Sequence, residues 1–578
     1  MASTEAFIAS IGVNGHVEQA GSAYANPNST VSAMNYLGVS YLRNHYAETS
    51  LGLNNINALA NAGIKFDFVP IPHWIEKTVD VAAFIKGLEK FEKAHPGSIA
   101  AIEGPNEVNI YAVNVKGVKT IASGAEVQKQ LYAAINKSSL LKDKDIYNVS
   151  LGSTDANQYK QLGNLSGHTD FANAHAYVMS TTTISAGLDY LIGFAKISAP
   201  NKPVVITEAG YTTLDNYWYN GVSHIVQAKY TLNTLASAFD KGVSKTYLYE
   251  LFDFRPDLTP GSANSHFGLF NADGTPKLAA TAIHNMTTIL ANDSSLKAPV
   301  TNASFTYSLK GMPLKGQDMV LSKGNGSVDL IVWSEPTLWN QNTKTGVLAP
   351  TTTVTVTFGS VESIVSVYDP LLGKNAIKTY FGVREIKVDI SDHPLIIETT
   401  GKSAVPDKAA SVGGHLVGGT SADVIRGQSS KDVIVGNDGS DKLYGGNGND
   451  MIYGNAGKDL LHGGMGADKL FGGADADTFL FKNIKESTVA ASGRDTIYDF
   501  EKGDHIDLRA IDANSKASGD QAFAFIGDKD FSGKHGQLRY EADSSGVQVY
   551  GDVNGDGKAD FAIYLKDVAK LVSGDFYL

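Results

Sequence analysis

From residue 423 to residue 477 an aspartate stands at every ninth position: Asp423, Asp432, Asp441, Asp450, Asp459, Asp468 and Asp477. Before Asp450 and Asp468 the chain reads Gly-Gly-x-Gly-x-Asp, as in Gly445-Gly446-Asn447-Gly448-Asn449-Asp450, and before Asp441 and Asp459 it reads Gly-x-x-Gly-x-Asp. Each nonamer has room for one tight turn, where glycine accepts positive φ, and one short strand with an inward aliphatic side chain. Val424/Ile425, Val433/Ile434, Leu443, Met451/Ile452, Leu460/Leu461 and Leu470 keep the same phase, which a flexible Gly/Asp linker has no reason to do. Carboxylates stacked this closely repel one another unless divalent cations sit between successive turns, and oxygen-only donors favour calcium. The pattern therefore predicts a parallel β-roll over residues 411–485, with the seven aspartates holding several structural Ca2+ ions in a calcium-rich, extracellular setting.

A chain of 578 residues is too long for one core. It contains no run near eighteen apolar residues, and Met1-Ala2-Ser3-Thr4-Glu5-Ala6-Phe7 lacks a basic n-region, so neither a membrane-spanning helix nor an N-terminal signal peptide is expected. Cysteine is absent, which excludes disulfides, zinc–thiolate sites and a catalytic thiol. Of a net charge of -12, residues 401–578 supply most, with 27 acidic against 19 basic side chains. The rest is nearly balanced, which argues against nucleic acid as a partner.

Residues 7 to about 290 alternate short β-branched or aromatic runs with amphipathic stretches. The runs are Phe7 to Val13, Ser40 to Asn44, Ile64 to Ile71, Ile99 to Glu103, Ile146 to Leu151, Phe171 to Tyr177, Val204 to Thr207 and Lys245 to Leu251. Between them lie stretches such as 79–94, where Val79, Ala82, Phe84, Ile85, Leu88 and Phe91 share one helical face. Eight such units predict a (β/α)8 TIM barrel over residues 1–295, with an open doubly wound sheet as the alternative that periodicity leaves standing. Residues 296–400 turn to strict alternation, as in Thr353 to Phe358, and predict an antiparallel β-sandwich. Residues 401–410 read as a linker before the β-roll, and residues 486–578 as a C-terminal all-β cap.

Barrels of this kind gather chemistry at the C-terminal ends of their strands. Those ends carry Arg43-Asn44-His45, His73-Trp74, Glu103-Gly104-Pro105-Asn106-Glu107, Asn173-Ala174-His175-Ala176-Tyr177, Thr207-Glu208-Ala209-Gly210-Tyr211 and Glu250-Leu251-Phe252-Asp253. Two glutamates at opposite strand ends match glycoside hydrolysis, in which one carboxylic acid protonates the leaving oxygen while a carboxylate acts from the other face of the ring. Glu103 is the competing carboxylate, read as an inward residue hydrogen-bonded to Arg43 or His45. Flat rings suited to sugar faces are Trp74, Tyr211, Tyr217, Trp218, Tyr219, Phe252 and Phe254.

Asn106-Glu107 and Ile206-Thr207-Glu208, with Arg43, His175 and Tyr177 in order, resemble the acid/base and nucleophile positions of clan A glycoside hydrolases, in particular family 39 and family 30. The resemblance extends to His266 through Lys277. It implies retaining double displacement with Glu208 as nucleophile, oriented by Arg43, His175 and Tyr177, and Glu107 as acid/base. Asn106 would bind the sugar 2-hydroxyl, and the carboxylates would stand about 5–5.5 Å apart. His45, Trp74, Tyr211, Trp218 and Phe252 complete the expected substrate contacts. No cofactor is expected for catalysis.

The nonamers resemble the RTX family of exported bacterial proteins, and the residues C-terminal to them resemble the serralysin C-terminal module. That second resemblance rests on Asp495-Thr496-Ile497-Tyr498-Asp499-Phe500, Gly503-Asp504-His505-Ile506-Asp507-Leu508, Asp552 to Phe561 and Asp575-Phe576-Tyr577-Leu578. It implies an uncleaved C-terminal signal read by a type I secretion machinery. A metalloprotease would need His-Glu-x-x-His, yet none of the fourteen histidines precedes a glutamate. The expectation is a secreted monomer acting on an extracellular polysaccharide, without stable membrane insertion. The competing reading is a non-catalytic polysaccharide-binding surface protein on the same barrel.

Overall fold

Eight short parallel strands form one sheet in which each strand neighbours the next in chain order and the first pairs with the last. They are β1 (Ile11–Asn14), β2 (Tyr41–His45), β3 (Lys65–Val69), β4 (Ile99–Glu103), β5 (Asp145–Tyr147), β6 (Ala172–His175), β7 (Val204–Ala209) and β8 (Val243–Leu248). A parallel bridge from Tyr147 to Phe171, together with the Asn148 N–H donating to the Phe171 carbonyl, joins the two edges. The sheet is thus a barrel, and the open-sheet alternative falls away. This is a computed structural model, and it describes all residues except 47–48, 71–78, 215–216, 218–220, 254–265, 292–304, 325, 400–414, 419–421, 428 and 430.

Each strand is followed by a helix: α1 (Pro27–Leu37), α2 (Ser50–Asn61), α3 (Val81–Ala94), α4 (Ile121–Ile135), α5 (Ala156–Leu162), α6 (Ile184–Ser198), α7 (His224–Asp240) and α8 (Leu278–Leu290). Local chemistry sets their limits. The helix expected to begin at residue 79 begins at Val81, because the Asp80 carboxylate caps the Ala83 N–H, and it buries Phe84, Ile85, Leu88 and Phe91. Residues 7–9, expected to open the first strand, belong instead to a short helix, Thr4–Ala9, capped by Ser3. That turn carries Phe7 into the core against Phe239, and the strand begins only at Ile11. Among the described residues no helix is long and apolar enough to cross a membrane.

The chain divides into two compact units. The first comprises residues 1–359, 365–379 and 385–400, so it contains both the barrel and the strands that follow it. These are β9 (Tyr307–Lys310), β10 (Gly316–Ser322), β11 (Val328–Ser334), β12 (Thr352–Tyr368), β13 (Ala376–Ile390) and β14 (Leu395–Thr399). Their hydrogen bonds run through one seven-stranded sheet, which also recruits Ala2–Ser3, rather than through two separate sheets. Leu321, Ile331, Trp333 and Ile396 lie in the same apolar cluster as the barrel helices. Polar staples reinforce this packing. Buried Glu335 accepts from the Ser185 N–H (2.7 Å), the Ser237 hydroxyl and the Trp333 indole (3.3 Å), and Lys229 pairs with Asp392 at 2.6 Å.

The second unit comprises residues 360–364, 380–384 and 401–578. Successive nonamers alternate between two parallel sheets. One holds β15 (His415–Val417), β17 (Val433–Asp438), β19 (Met451–Ala456), β21 (Lys469–Ala474) and β23 (Thr496–Ile497); the other holds β16 (Val424–Arg426), β18 (Lys442–Asn447), β20 (Leu460–Met465), β22 (Thr478–Leu480) and β24 (His505–Asp507). Within the repeats each strand pairs with the one eighteen residues on, so that Ile434, Ile452 and Leu470 stack, as do Leu443, Leu461 and Phe479. All six are fully buried in one cluster. The C-terminal segment continues both sheets: β25 (Gln537–Asp543), β26 (Gly546–Asp552) and β27 (Phe561–Lys566) form an antiparallel run, β27 lies beside β23, and β28 (Phe576–Tyr577) lies beside β24. Val547, Val549, Ile563 and Phe576 share the same cluster, so this segment completes one core rather than building its own. The expected linker 401–410 lies outside the described residues.

Replacing Glu335 by Ala leaves three donors, two of them buried, without this acceptor, each buried one costing roughly 1–3 kcal/mol. Urea unfolding of the first unit should show a loss of about 3 kcal/mol, and an unchanged midpoint would remove Glu335 as a staple.

Candidate active site

Arg43, in the middle of β2, is the centre of the site. Its Nε donates to Glu103 Oε2 (2.6 Å), Nη1 to Asn14 Oδ1 (2.8 Å) and Glu208 Oε1 (2.8 Å), and Nη2 to Glu103 Oε1 (3.0 Å) and Asn106 Oδ1 (2.7 Å). A guanidinium carries five N–H groups in a rigid plane, and here all five are engaged. Glu103 is fully buried and also accepts from Asn173 Nδ2 at 2.9 Å, which makes it the structural counter-ion of Arg43. Nearby Asp67 is fully buried; burial first and the Glu103 charge second push its carboxyl well above the usual range.

Glu208, on β7, receives Arg43 on one oxygen and the Tyr177 hydroxyl on the other (2.8 Å). Burial acts to raise its pKa, but the charge of His175, that of Arg43 and the two hydrogen bonds outweigh burial and hold it at about 2. His175 moves the opposite way: burial lowers it, and the Glu208 and Glu107 carboxylates more than reverse that. Its Nδ1 stands 3.0 Å from Glu107 Oε1 and 3.5 Å from Glu208 Oε2. An oxygen of Glu107, an oxygen of Glu208 and the imidazole nitrogen lie within 4.8 Å of one another.

Glu107 stands four residues past β4 with φ of 42°, a left-handed conformation that a non-glycine residue adopts at a cost. The loop after β5 enforces it. Ser150 Oγ accepts the Glu107 N–H at 3.0 Å and donates to Asn106 Oδ1 at 3.0 Å, so one hydroxyl sets both neighbours. Gly152 passes so close that a Cβ there would lie 2.6 Å from Glu107 Oε1.

A small pocket opens beside these groups, lined by Asn14, His16, Arg43, His45, Asn106, Glu208 and Tyr249 among others. Of the residues predicted from sequence, Arg43, His45, Asn106, Glu107, His175, Tyr177 and Glu208 are brought together. Two are not. Phe252 is 1 % exposed and packs between Tyr24 and Phe270, and Tyr211 is 3 % exposed with its ring 5.0 Å from Tyr230 of α7. Both are core rings, since a place near a strand end does not fix the side to which a ring turns. Trp74 and Trp218 lie outside the described residues, as do His73, Tyr219 and Phe254. Sequence reasoning missed Asn14, which bridges Arg43 to the Thr207 carbonyl (3.0 Å), and Tyr249. The strand-end rule would have found Asn14 had the first strand been carried one residue past Val13.

The aspartate ladder of the second unit has its own geometry. Asp441 Oδ1 accepts the N–H of Asp423, Asp450 that of Asp432, Asp459 that of Asp441, Asp468 that of Asp450 (2.7 Å each), and Asp477 that of Asp459 (2.8 Å). The ladder outlasts its sequence period, because Asp495 and Asp504 take the N–H groups of Asp468 and Asp477 across a spacing of 27 residues. The second oxygen, Oδ2, of Asp441, Asp450, Asp459, Asp468, Asp477 and Asp495 is buried with no hydrogen-bond partner among the described residues. A Cβ at Gly436, Gly445, Gly454, Gly463 or Gly472 would stand 2.3–2.4 Å from one of these oxygens. Burial first, then the neighbouring carboxylates, raise Asp450 and Asp459 to about 6, Asp468 to about 7 and Asp477 to about 8. Orphaned carboxylate oxygens in register, cleared of side chains by glycine, are a donor set that fits a hard divalent cation.

Residues 416–577 match the family described as Peptidase M10 serralysin C terminal. No curated protein sequence matches the chain. Among solved structures, the chain is similar to the GH39 enzyme from Xanthomonas axonopodis pv. citri, at 13% identity and a TM-score of 0.44 over 68% of this chain and 94% of that one. It is also similar to a monomeric beta-xylosidase from Caulobacter crescentus CB15, at 12% identity and a TM-score of 0.43 over 68% and 96%. A third is a beta-1,3-glucanosyltransferase from Rhizomucor miehei, at 18% identity and a TM-score of 0.34 over 48% and 97%.

Adding one methyl group at Gly152 displaces the Glu107 carboxylate while touching no core residue. Gly152→Ala should lower any turnover that uses Glu107 by about 10–100-fold with little change in melting temperature, since misplacing a reacting group by about 1 Å costs on the order of a hundredfold. Wild-type rates in Gly152→Ala would detach Glu107 from the chemistry.

Proposed function

We propose that the barrel is a retaining glycoside hydrolase acting on an extracellular polysaccharide. The carrying observation is the pair Glu107 and Glu208, which offer carboxylate oxygens within 4.8 Å of each other, both close to His175 Nδ1. Retaining enzymes need their carboxyls about 5–5.5 Å apart, whereas inversion leaves about 6.5–9.5 Å for a water. Glu208, kept anionic by Arg43 and Tyr177, attacks the anomeric carbon. Glu107 gives a proton to the departing oxygen and later takes one from the attacking water. His175 touches both carboxylates and fixes their mutual position. Asn106, held by Arg43 and Ser150, turns its amide toward the sugar.

The second unit is read as a calcium-dependent export module. The serralysin C-terminal match over residues 416–577 supports secretion by a type I route, and the orphaned Oδ2 atoms of Asp441 through Asp477 support a row of structural Ca2+ ions. Bound calcium would neutralise the carboxylates of Asp441, Asp450, Asp459, Asp468 and Asp477, whose Oδ2 atoms have no partner among the described residues.

Glu208→Gln should lower kcat at least about a thousandfold, as loss of a nucleophile does elsewhere. Product NMR on a polysaccharide panel should show the substrate's own anomeric configuration at first release; an inverted first product sinks the double displacement. Because the Glu208 pKa is depressed, its stabilising ion pair is present above the ordinary carboxylate range and is lost only as pH falls toward about 2. The kcat/KM profile should therefore lack an acidic limb centred near pH 4.5. For the second unit, chelating calcium should abolish the far-ultraviolet signal of the nonamer strands and leave the near-ultraviolet signal of the barrel in place. A spectrum indifferent to chelator would remove calcium from the account.

A further inference from the structure

We infer that His16, Glu18 and His45 form a binding site for a zinc-class divalent cation on the wall of the catalytic pocket. One ligand atom from each of the three lies within 4.8 Å of the other two. His45 Nδ1 and Glu18 Oε1 stand 3.4 Å apart, close to the roughly 3.3 Å edge of a tetrahedron whose bonds are about 2.0–2.1 Å long.

The surroundings are those of a metal site. An imidazole that binds a metal through one nitrogen characteristically gives the other to a carboxylate, which fixes the ring and raises its basicity. His16 Nε2 stands 3.3 Å from Glu250 Oε2, and Glu250 is itself held by the Tyr24 hydroxyl at 3.3 Å. Glu18 is held on its second oxygen by Asn44 Nδ2 at 3.3 Å, while Asn44 Oδ1 accepts the Val17 N–H at 3.1 Å and so anchors the loop that carries His16 and Glu18. Both imidazoles are more than nine-tenths buried, at 6 % exposure each.

Two imidazoles and one carboxylate suit a borderline transition ion rather than calcium, and three protein ligands leave a coordination position open. His16 and His45 line the pocket together with Arg43 and Glu208, so that position faces the space proposed for the sugar. A sugar hydroxyl or carboxylate displacing water there would be ligated beside the nucleophile. The cation itself does not depend on the glycosidase reading, and its binding is measured without turnover.

The test uses the full chain, freed of transition metals and kept saturated with calcium, titrated with Zn2+ by calorimetry and with Co2+ by visible absorption. The expected result is one zinc ion per chain and cobalt bands of tetrahedral intensity. Glu18→Gln and His45→Gln should each weaken zinc at least about tenfold. Circular dichroism checks that each variant is folded, and His16→Gln serves if either is not. No zinc binding by the wild type, or zinc affinity unchanged in Glu18→Gln and His45→Gln, overturns the proposal. So does binding lost in His175→Gln and kept in Glu18→Gln, which would place the ion on the Glu107–Glu208 pair.

Discussion

The barrel's chemistry rests on a single guanidinium. Arg43 reaches from β2 to Asn14 on β1, to Glu103 on β4, to Asn106 just beyond it and to Glu208 on β7, so four strand ends are registered by one planar group. A lysine could supply the charge but not the plane, and its ammonium has three donors where five acceptors wait. Buried ions are costly unless they are paired and fully hydrogen-bonded. That condition is met here because Glu103 takes two donors while Glu208 takes one and keeps its second oxygen for Tyr177. The same arrangement holds Glu208 in its ionised form while it lines the pocket, as the proposed nucleophilic role requires.

Most of the first unit's architecture was legible because helical and strand periods alternate eight times, and the strand-end rule then brought out Arg43, Asn106, Glu107, His175, Tyr177 and Glu208 from among many polar residues. The failures have physical reasons. Phe7 is apolar and flanked by Ile8, which suits a strand, but the Ser3 cap one turn earlier settles the competition for a helix. Tyr211 and Phe252 have the right position and the wrong direction, and direction depends on packing partners such as Tyr230, Tyr24 and Phe270 whose placement the local pattern does not give. In residues 296–400 alternation predicts strands but not their pairing. The seventeen-residue strand β12 pairs with β9 through Phe358 and with β14 through Val365, which links the strands into a single sheet.

In the second unit the nine-residue period encodes strand, turn and ladder together, because each Asp serves the backbone N–H of the repeat two earlier while the glycine five residues before it leaves space for the carboxylate. The signal fails where the period does. The insertion between Phe481 and Arg494 breaks the spacing, yet Asp495 and Asp504 resume the same hydrogen bond. Structure preserves the rung, and the sequence count of seven understates the ladder.

The two units handle buried negative charge in opposite ways. Around Glu208 the protein supplies its own cations and donors, and the carboxyl falls to about 2. Along the ladder the aspartates meet backbone N–H groups and one another, and Asp477 rises to about 8. A backbone amide is a weak partner for a carboxylate next to a like charge about one strand spacing away. The first arrangement is complete once the chain has folded, while the second leaves the Oδ2 atoms of Asp441, Asp450, Asp459, Asp468 and Asp477 without a hydrogen-bond partner among the described residues. On the calcium reading proposed above, an ion supply that differs across a membrane would act on the ladder's stability and not on the Arg43 network, whose counter-charges are all side chains of the protein.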